Sequence, residues 1–199
     1  MSLLKVGRLT PKNTALFVCD IQQRFKDLGV ISNMPTVIRS ADILIRTSNI
    51  MNIPIVVTEQ YPKAFGRTVE ELKVPETKDN IAVFAKTKFS MCTDEVKEHL
   101  EKISGIEQVI LCGIETHVCV QQTTLDLLQQ GIGVHLIADG VSSCSNKSDR
   151  VIAIEALRQS GAFVTSCESV VFELLRDSKN EHFKEVSAIL KEPRVDVGL

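Results

Sequence analysis

The feature that most constrains this chain is an alternation: short runs of apolar, largely β-branched residues recur between longer segments of helical periodicity from one end to the other. The first run, Thr-Ala-Leu-Phe-Val-Cys from Thr14 to Cys19, is apolar almost throughout, as a strand covered on both faces must be. Similar runs at 54–58, 81–85, 108–113, 134–138 and 162–165 predict five more strands. Between them, Val37, Ala41, Leu44, Ser48 and Met51 form one stripe of a helix over 35–52, with Pro35 suited to its first turn. Thr93 is a cap for a helix running to about Ile103. The segment 116–130 reads as a helix with Leu125 and Leu128 inward and Gly131 as its stop. Further helices are expected at 148–160 and through Phe183, Val186, Ile189 and Leu190. The polar stretch 59–80, which carries Pro and Gly, is expected to be a long loop or lid.

Alternation of this kind implies an α/β fold with parallel strands, right-handed crossovers and helices on both faces of the sheet. The 199 residues, 44% hydrophobic, suit one domain spanning 1–199, with 192–199 as a C-terminal tail able to dock on a partner subunit. A net charge of −2 with interspersed signs provides no footprint for nucleic acid or an anionic membrane. No apolar run approaches the roughly 20 residues of a membrane span, and no signal-peptide pattern opens the chain, so a cytoplasmic protein is expected. Six cysteines without a CxxC pair point to free thiols in a reducing compartment, most of them buried and inert.

In an open parallel sheet, ligands bind beyond the carboxyl ends of the strands. Those ends carry Asp20, Thr58-Glu59-Gln60, Lys86, Gly113 to Cys119, and Asp139. Separately, each has an ordinary reading: a carboxylate capping a loop, a solvated lysine, a small core cysteine. Together they supply what an activated thiol needs. Cys119 lies in the first turn of a helix, where exposed N–H groups favour thiolate. Lys86 adds positive charge, and Asp20 can accept the thiol proton and return it to a leaving group. His117 and Lys88 are weaker alternatives to these partners, and His135, inside a strand, is expected to be structural. No G-x-G-x-x-G follows the first strand, and no His/Cys cluster forms a metal site, so neither a dinucleotide nor any other cofactor is expected.

Three ordered motifs resemble those of isochorismatase-like hydrolases. Asp20-Ile21-Gln22-Gln23-Arg24-Phe25 is similar to their D-x-Q-x-x-F opening, Lys86-Thr87-Lys88-Phe89-Ser90 to their K-x-x-[FY]-S segment, and Gly113 to Val120 to their nucleophile loop. The resemblance runs from about Thr14 to Ser166, and Thr58-Glu59-Gln60-Tyr61-Pro62 brings it nearest to eukaryotic isochorismatase domain-containing proteins. It implies a three-layer, Rossmann-like α/β/α fold with a six-stranded parallel sheet of order 3-2-1-4-5-6. It also implies a catalytic triad of Asp20, Lys86 and Cys119, a cis peptide between Ile114 and Glu115, and an oxyanion hole from the N–H groups of Glu115 and Cys119. Gln22, Phe25, Tyr61 and Phe89 are the expected substrate-binding residues, and a homo-oligomer is the expected assembly.

Two departures narrow the activity. Nicotinamidases of this superfamily carry an Asp-x-His metal element after the second strand, where this chain has Glu59-Gln60-Tyr61. True isochorismatases cleave a vinyl ether by acid chemistry without a thiol, whereas Cys119 is retained here. The resulting expectation is a metal-independent hydrolase of a small amide or related acyl substrate. The rival expectation is a binding or scaffold protein that keeps the fold with little turnover, and a two-metal nuclease lacks its carboxylate cluster.

Overall fold

All six apolar runs become strands in the computed structural model, which describes residues 6–75, 79–103, 105–144 and 147–193. They are β1 (Thr14–Cys19), β2 (Ile55–Gln60), β3 (Ile81–Lys86), β4 (Gln108–Ile114), β5 (Gly133–Ser142) and β6 (Phe163–Thr165). Every pairing is parallel and the order is β3-β2-β1-β4-β5-β6. Both the α/β class and the strand order match expectation. From β1 the chain winds outward through β2 to β3, then returns to place β4 on the other side of β1. That reversal opens a crevice beyond the carboxyl ends of β1 and β4.

Helices cover both faces. On one side Leu16, Val18, Ile55 and Val57 pack with Val37, Ala41 and Leu44 of α2 (Met34–Ile50) and with α7 (Cys167–Leu175) and α8 (Phe183–Leu190). On the other, Ala15, Phe17, Cys19, Val109 and Leu111 pack with Val96 of α4 (Asp94–Glu101), Leu127 of α5 (Gln121–Gln129) and Leu157 of α6 (Lys147–Gln159). Each such aliphatic or aromatic side chain contributes about 1.5–3 kcal/mol on full burial. The strict alternation of β1 between these two layers therefore holds its ends in place.

Several local expectations are corrected. The helix expected over 116–130 starts as a π-helical turn, Thr116–Val120, before α5. The extra residue in that turn shifts the phase of the apolar stripe, so Leu127 is fully buried while Leu125 is 41% exposed. The loop after β2 contains a short helix, α3 (Pro62–Phe65), and a 3₁₀ turn, Glu70–Leu72, and a short helix α1 (Gln23–Leu28) follows β1. Helix α7 is an addition to the expected elements: Ser166 caps it by accepting from Ser169 N–H, and Val170, Val171, Leu174 and Leu175 form its buried face. Strand β5 runs past Ala138 to Ser142, so Asp139 lies inside it. Glu192, at the start of the tail, pairs with Arg39 and Arg46 of this chain's own α2, and 194–199 lie outside the described residues.

Candidate active site

Strand register assembles the rim. Cys19 stands opposite both Thr58 and Gly113, and Gln60 stands opposite Lys86. Gly113 has φ 122, and a Cβ there would fall 2.1 Å from the Cys19 carbonyl oxygen. Only glycine permits that approach, which brings the loop carrying Cys119 against the end of β1.

Asp20 leaves β1 with φ 51, in the left-handed region that Asp tolerates better than most residues. Its carboxylate is buried. Oδ1 accepts from Thr58 Oγ1 at 2.8 Å, and Oδ2 accepts from Lys86 Nζ at 2.7 Å and from Cys19 Sγ at 3.6 Å. The Lys86 side chain is 0% exposed, and its ammonium also donates to Gln60 Oε1 at 2.7 Å, Phe89 O at 2.9 Å and Lys88 O at 3.1 Å. Burial works against the Lys86 charge, but Cys19, Asp20 and Cys119 outweigh it and raise its pKa from the ordinary 10.5. A dehydrated ion pair adds little to stability over an apolar pair of like volume, so its presence at this rim points to chemistry.

Between the two candidate lysines the structure is clear: Lys86 reaches Asp20, while Lys88 is half exposed and faces Asp126 and the Cys92 carbonyl. Cys119 is 7% exposed in the π-helical turn, where Val118 and Val120 N–H both reach back to the Glu115 carbonyl at 3.1 and 3.2 Å. Turns of this type recur at functional sites. The peptide between Ile114 and Glu115 is cis. Thr123 ties the two halves together: its hydroxyl accepts from Met91 N–H at 2.9 Å and donates to the Cys119 carbonyl at 2.6 Å.

Cys19 is the residue that sequence reasoning left out of the site. It is fully buried, and burial first, then its neighbours Cys119 and Asp20, push its pKa well above the usual 9.0. Its signal was available, since in β1 it shares the face of Ala15 and Phe17, against the layer that holds Cys119 and the helix after it. Thr58 and Gln60, read only as rim residues, are the direct partners of Asp20 and Lys86.

The expected substrate-binding residues divide. Tyr61 and Phe89 are about half exposed, and their backbones flank Lys86: Tyr61 N–H donates to the Lys86 carbonyl and the Phe89 carbonyl accepts from its ammonium. Phe25 stacks on Phe65 with ring centroids 4.8 Å apart, joining α1 to α3. Gln22 is fully buried, and its amide is spent on backbone, donating to Gln60 O and Gly66 O and accepting from Gln60 N–H. It latches the loop after β2. Glu59 adds a second latch, accepting from Thr68 N–H and Oγ1 and from Arg67 Nη1. His117 Nδ1 lies 2.9 Å from Ser143 Oγ, the Asp139 carboxylate caps α7 through Cys167 N–H, and His135 stacks on Phe163. Among the described residues no helix is long and apolar enough to cross a membrane.

A doubly wound parallel sheet with a carboxylate and a buried ammonium paired near its switch point puts the candidate site where open α/β folds bind ligands. The isochorismatase domain model matches residues 14–169, and the chain belongs to that family. It is 45% identical over 94% of its length to a secreted isochorismatase effector of Phytophthora sojae, covering 89% of that protein. It is 41% identical over its full length to isochorismatase domain-containing protein 2 of Xenopus laevis, covering 93% of it. A solved structure titled as the MAR1 ribonuclease of Caenorhabditis elegans is 43% identical, with 96% of each chain covered and a TM-score of 0.88. The chain thus carries an isochorismatase-family hydrolase domain.

Proposed function

We propose that this protein is a metal-independent cysteine hydrolase of a small amide or related acyl substrate, working through a thioester on Cys119. The observation that carries the reading is the dehydrated Lys86–Asp20 pair at the rim where Gly113 brings the loop carrying Cys119 against the end of β1. In the first step Asp20 accepts the Cys119 proton as sulfur attacks the carbonyl carbon. The N–H groups of Glu115 and Cys119 stabilise the oxyanion, at roughly 3–4 kcal/mol per donor. Asp20 then protonates the leaving amine, and in the second half it takes a proton from the water that attacks the thioester and returns it to the Cys119 sulfur as the C–S bond breaks. Lys86 keeps Asp20 ionised between these transfers. Tyr61 and Phe89 line the entrance, and Gln22, rather than touching substrate, keeps the loop beneath them in place.

The metal-free reading is supported by Glu59, whose two carboxylate oxygens are engaged by Arg67 and Thr68. A cytoplasmic setting is proposed from the free thiols. The name of the nematode protein, MAR1 ribonuclease, makes RNA one arm of the test.

The test is mass spectrometry of the intact protein after incubation with an amide, ester and RNA panel, with and without chelator. An acyl adduct that maps to Cys119, survives EDTA and disappears in Cys119→Ser is the expected result. Turnover that needs added zinc or iron, RNA cleavage without an adduct, or no turnover at all would replace the reading, the last in favour of a binding protein.

A further inference from the structure

The two oxygens of the Asp20 carboxylate are not equivalent. Oδ2 accepts from Lys86 Nζ at 2.7 Å and from Cys19 Sγ at 3.6 Å, and these two donors fill its two lone pairs. Oδ1 accepts from Thr58 Oγ1 at 2.8 Å, and among the described residues its second lone pair is open. Lys86 is oversubscribed, because its three N–H groups meet four oxygens, Asp20 Oδ2 and Gln60 Oε1 at 2.7 Å, Phe89 O at 2.9 Å and Lys88 O at 3.1 Å. The ammonium has no N–H to spare for a substrate. Cys19 and Thr58 are both fully buried, and burial pushes the Cys19 pKa up, so it donates as a neutral thiol. Thr58 grips Asp20 twice: its backbone carbonyl also accepts from Asp20 N–H at 3.1 Å, and strand pairing fixes it opposite Cys19.

We propose that Oδ1 is the oxygen of Asp20 that takes and returns the proton, and that Thr58 and Cys19 are positioning residues that hold the carboxylate for that task. The kinetic part of this inference rests on the hydrolase reading above. A proton placed on Oδ2 would displace either the wholly buried Lys86 ammonium or the Cys19 thiol. On Oδ1 it displaces nothing, since Oδ2 becomes a carbonyl oxygen that still accepts from both, and the Oδ1 hydroxyl keeps a lone pair for Thr58. In the first half the Cys119 S–H bond breaks as the S–C bond forms, and the proton goes to Oδ1. It passes from there to the amine nitrogen as the C–N bond breaks. In the second half Oδ1 takes a proton from water as the water oxygen attacks the thioester carbon, and gives it to the Cys119 sulfur as the C–S bond breaks. Lys86, Cys19 and Thr58 stay in place through both halves, so these donors need no reorganisation at the moment of reaction.

Two measurements on the full chain test this. Thr58→Val keeps the branched shape suited to a buried strand and removes the donor, whereas Thr58→Ser keeps the donor. With p-nitroacetanilide, whose leaving amine needs a proton, Thr58→Val should lower kcat roughly 10- to 100-fold, the effect of losing a hydrogen bond to a charged group, with KM within about twofold. With p-nitrophenyl acetate, whose leaving group departs as a stable anion, the fall should be smaller, and Thr58→Ser should recover most of both. Equal falls with the two probes, a loss confined to KM, or Thr58→Ser no better than Thr58→Val overturns the positioning role. Neutron diffraction from crystals in D2O, below the pH at which the Asp20 carboxyl titrates, locates the proton-bearing atom without turnover and without any variant. The deuteron is expected on Oδ1, with those of Lys86 and Cys19 still directed at Oδ2; a deuteron on Oδ2 overturns the assignment. No turnover of either probe or of the substrate panel, with the deuteron on Oδ1, would sink the hydrolase reading and leave the assignment of the oxygen standing; turnover with the deuteron on Oδ2 would do the reverse.

Discussion

Replacing Lys86 with Met keeps the length of the side chain and removes its charge, which isolates what the ammonium does. In the wild type that group is wholly buried, faces Asp20 Oδ2 at 2.7 Å, and satisfies Gln60 Oε1 and the carbonyls of Lys88 and Phe89. Among the described residues, Lys86→Met leaves the buried carboxylate with Thr58 and Cys19 as its side-chain donors. Breaking one side of a buried pair costs about 3–5 kcal/mol, which for a chain of this size is a fall in Tm of roughly 6–20 °C. Adding Asp20→Asn removes the stranded charge, so the double variant should be more stable than Lys86→Met alone. The pH dependence has a definite sign. Because the Lys86 pKa is raised in the folded state, its contribution is complete below the ordinary value of 10.5 and is lost as pH rises through the higher folded one. The gap between wild type and Lys86→Met should therefore be flat across neutral pH and narrow in strong alkali. Urea denaturation at several pH values, with a double-mutant cycle, measures all of this. A loss under about 1 kcal/mol, or a double variant no better than Lys86→Met, would refute the claim that the pair is dehydrated and mutually dependent.

Cys119 should react first with iodoacetamide near neutral pH, followed by peptide mapping; Lys86→Met should slow that alkylation, and Asp20→Asn should abolish turnover while leaving alkylation as fast or faster. Burial pushes the Cys112 thiol from 9.0 up to about 12, so above pH 9 the native state keeps a proton that the unfolded chain gives up. Stability should then fall by about 1.4 kcal/mol per pH unit from this group, and Cys112→Ala should show the shallower alkaline decline in urea titrations. Gln22→Ala deletes three hydrogen bonds to backbone, worth about 2–4 kcal/mol together, and should speed hydrogen exchange and proteolysis in 59–75 more than elsewhere. Protection unchanged in that segment would mean Gln22 does not hold the loop.

Much of this was legible along the chain. The period-two and continuous apolar runs specify strands, the 3.6-residue stripes specify helices, and their alternation specifies a parallel sheet with both faces covered, because each pattern depends on residues only a few positions apart. The resemblance around Asp20, Lys86 and Gly113 to Val120 added the strand order and the family. What stayed hidden depends on contacts across the sheet. Lys86 and Lys88 are indistinguishable by residue type, and only the pairing of Gln60 with Lys86 aims one inward at Asp20 and leaves the other on Asp126. Leu127 rather than Leu125 faces the core because a π-helical turn, invisible in the periodicity, precedes α5 and changes the phase of its stripe. Gln22 looked available to a ligand until Gln60 and Gly66, 38 and 44 residues away, were seen to consume its amide. Cys19 looked like one more apolar residue of a buried strand, and became part of the site because Gly113, on a strand 94 positions later, lets the loop carrying Cys119 approach it. Local periodicity is written in neighbouring residues, whereas the partner of a buried polar group is set by strand register between segments far apart in the chain, and that exists only once the sheet has formed.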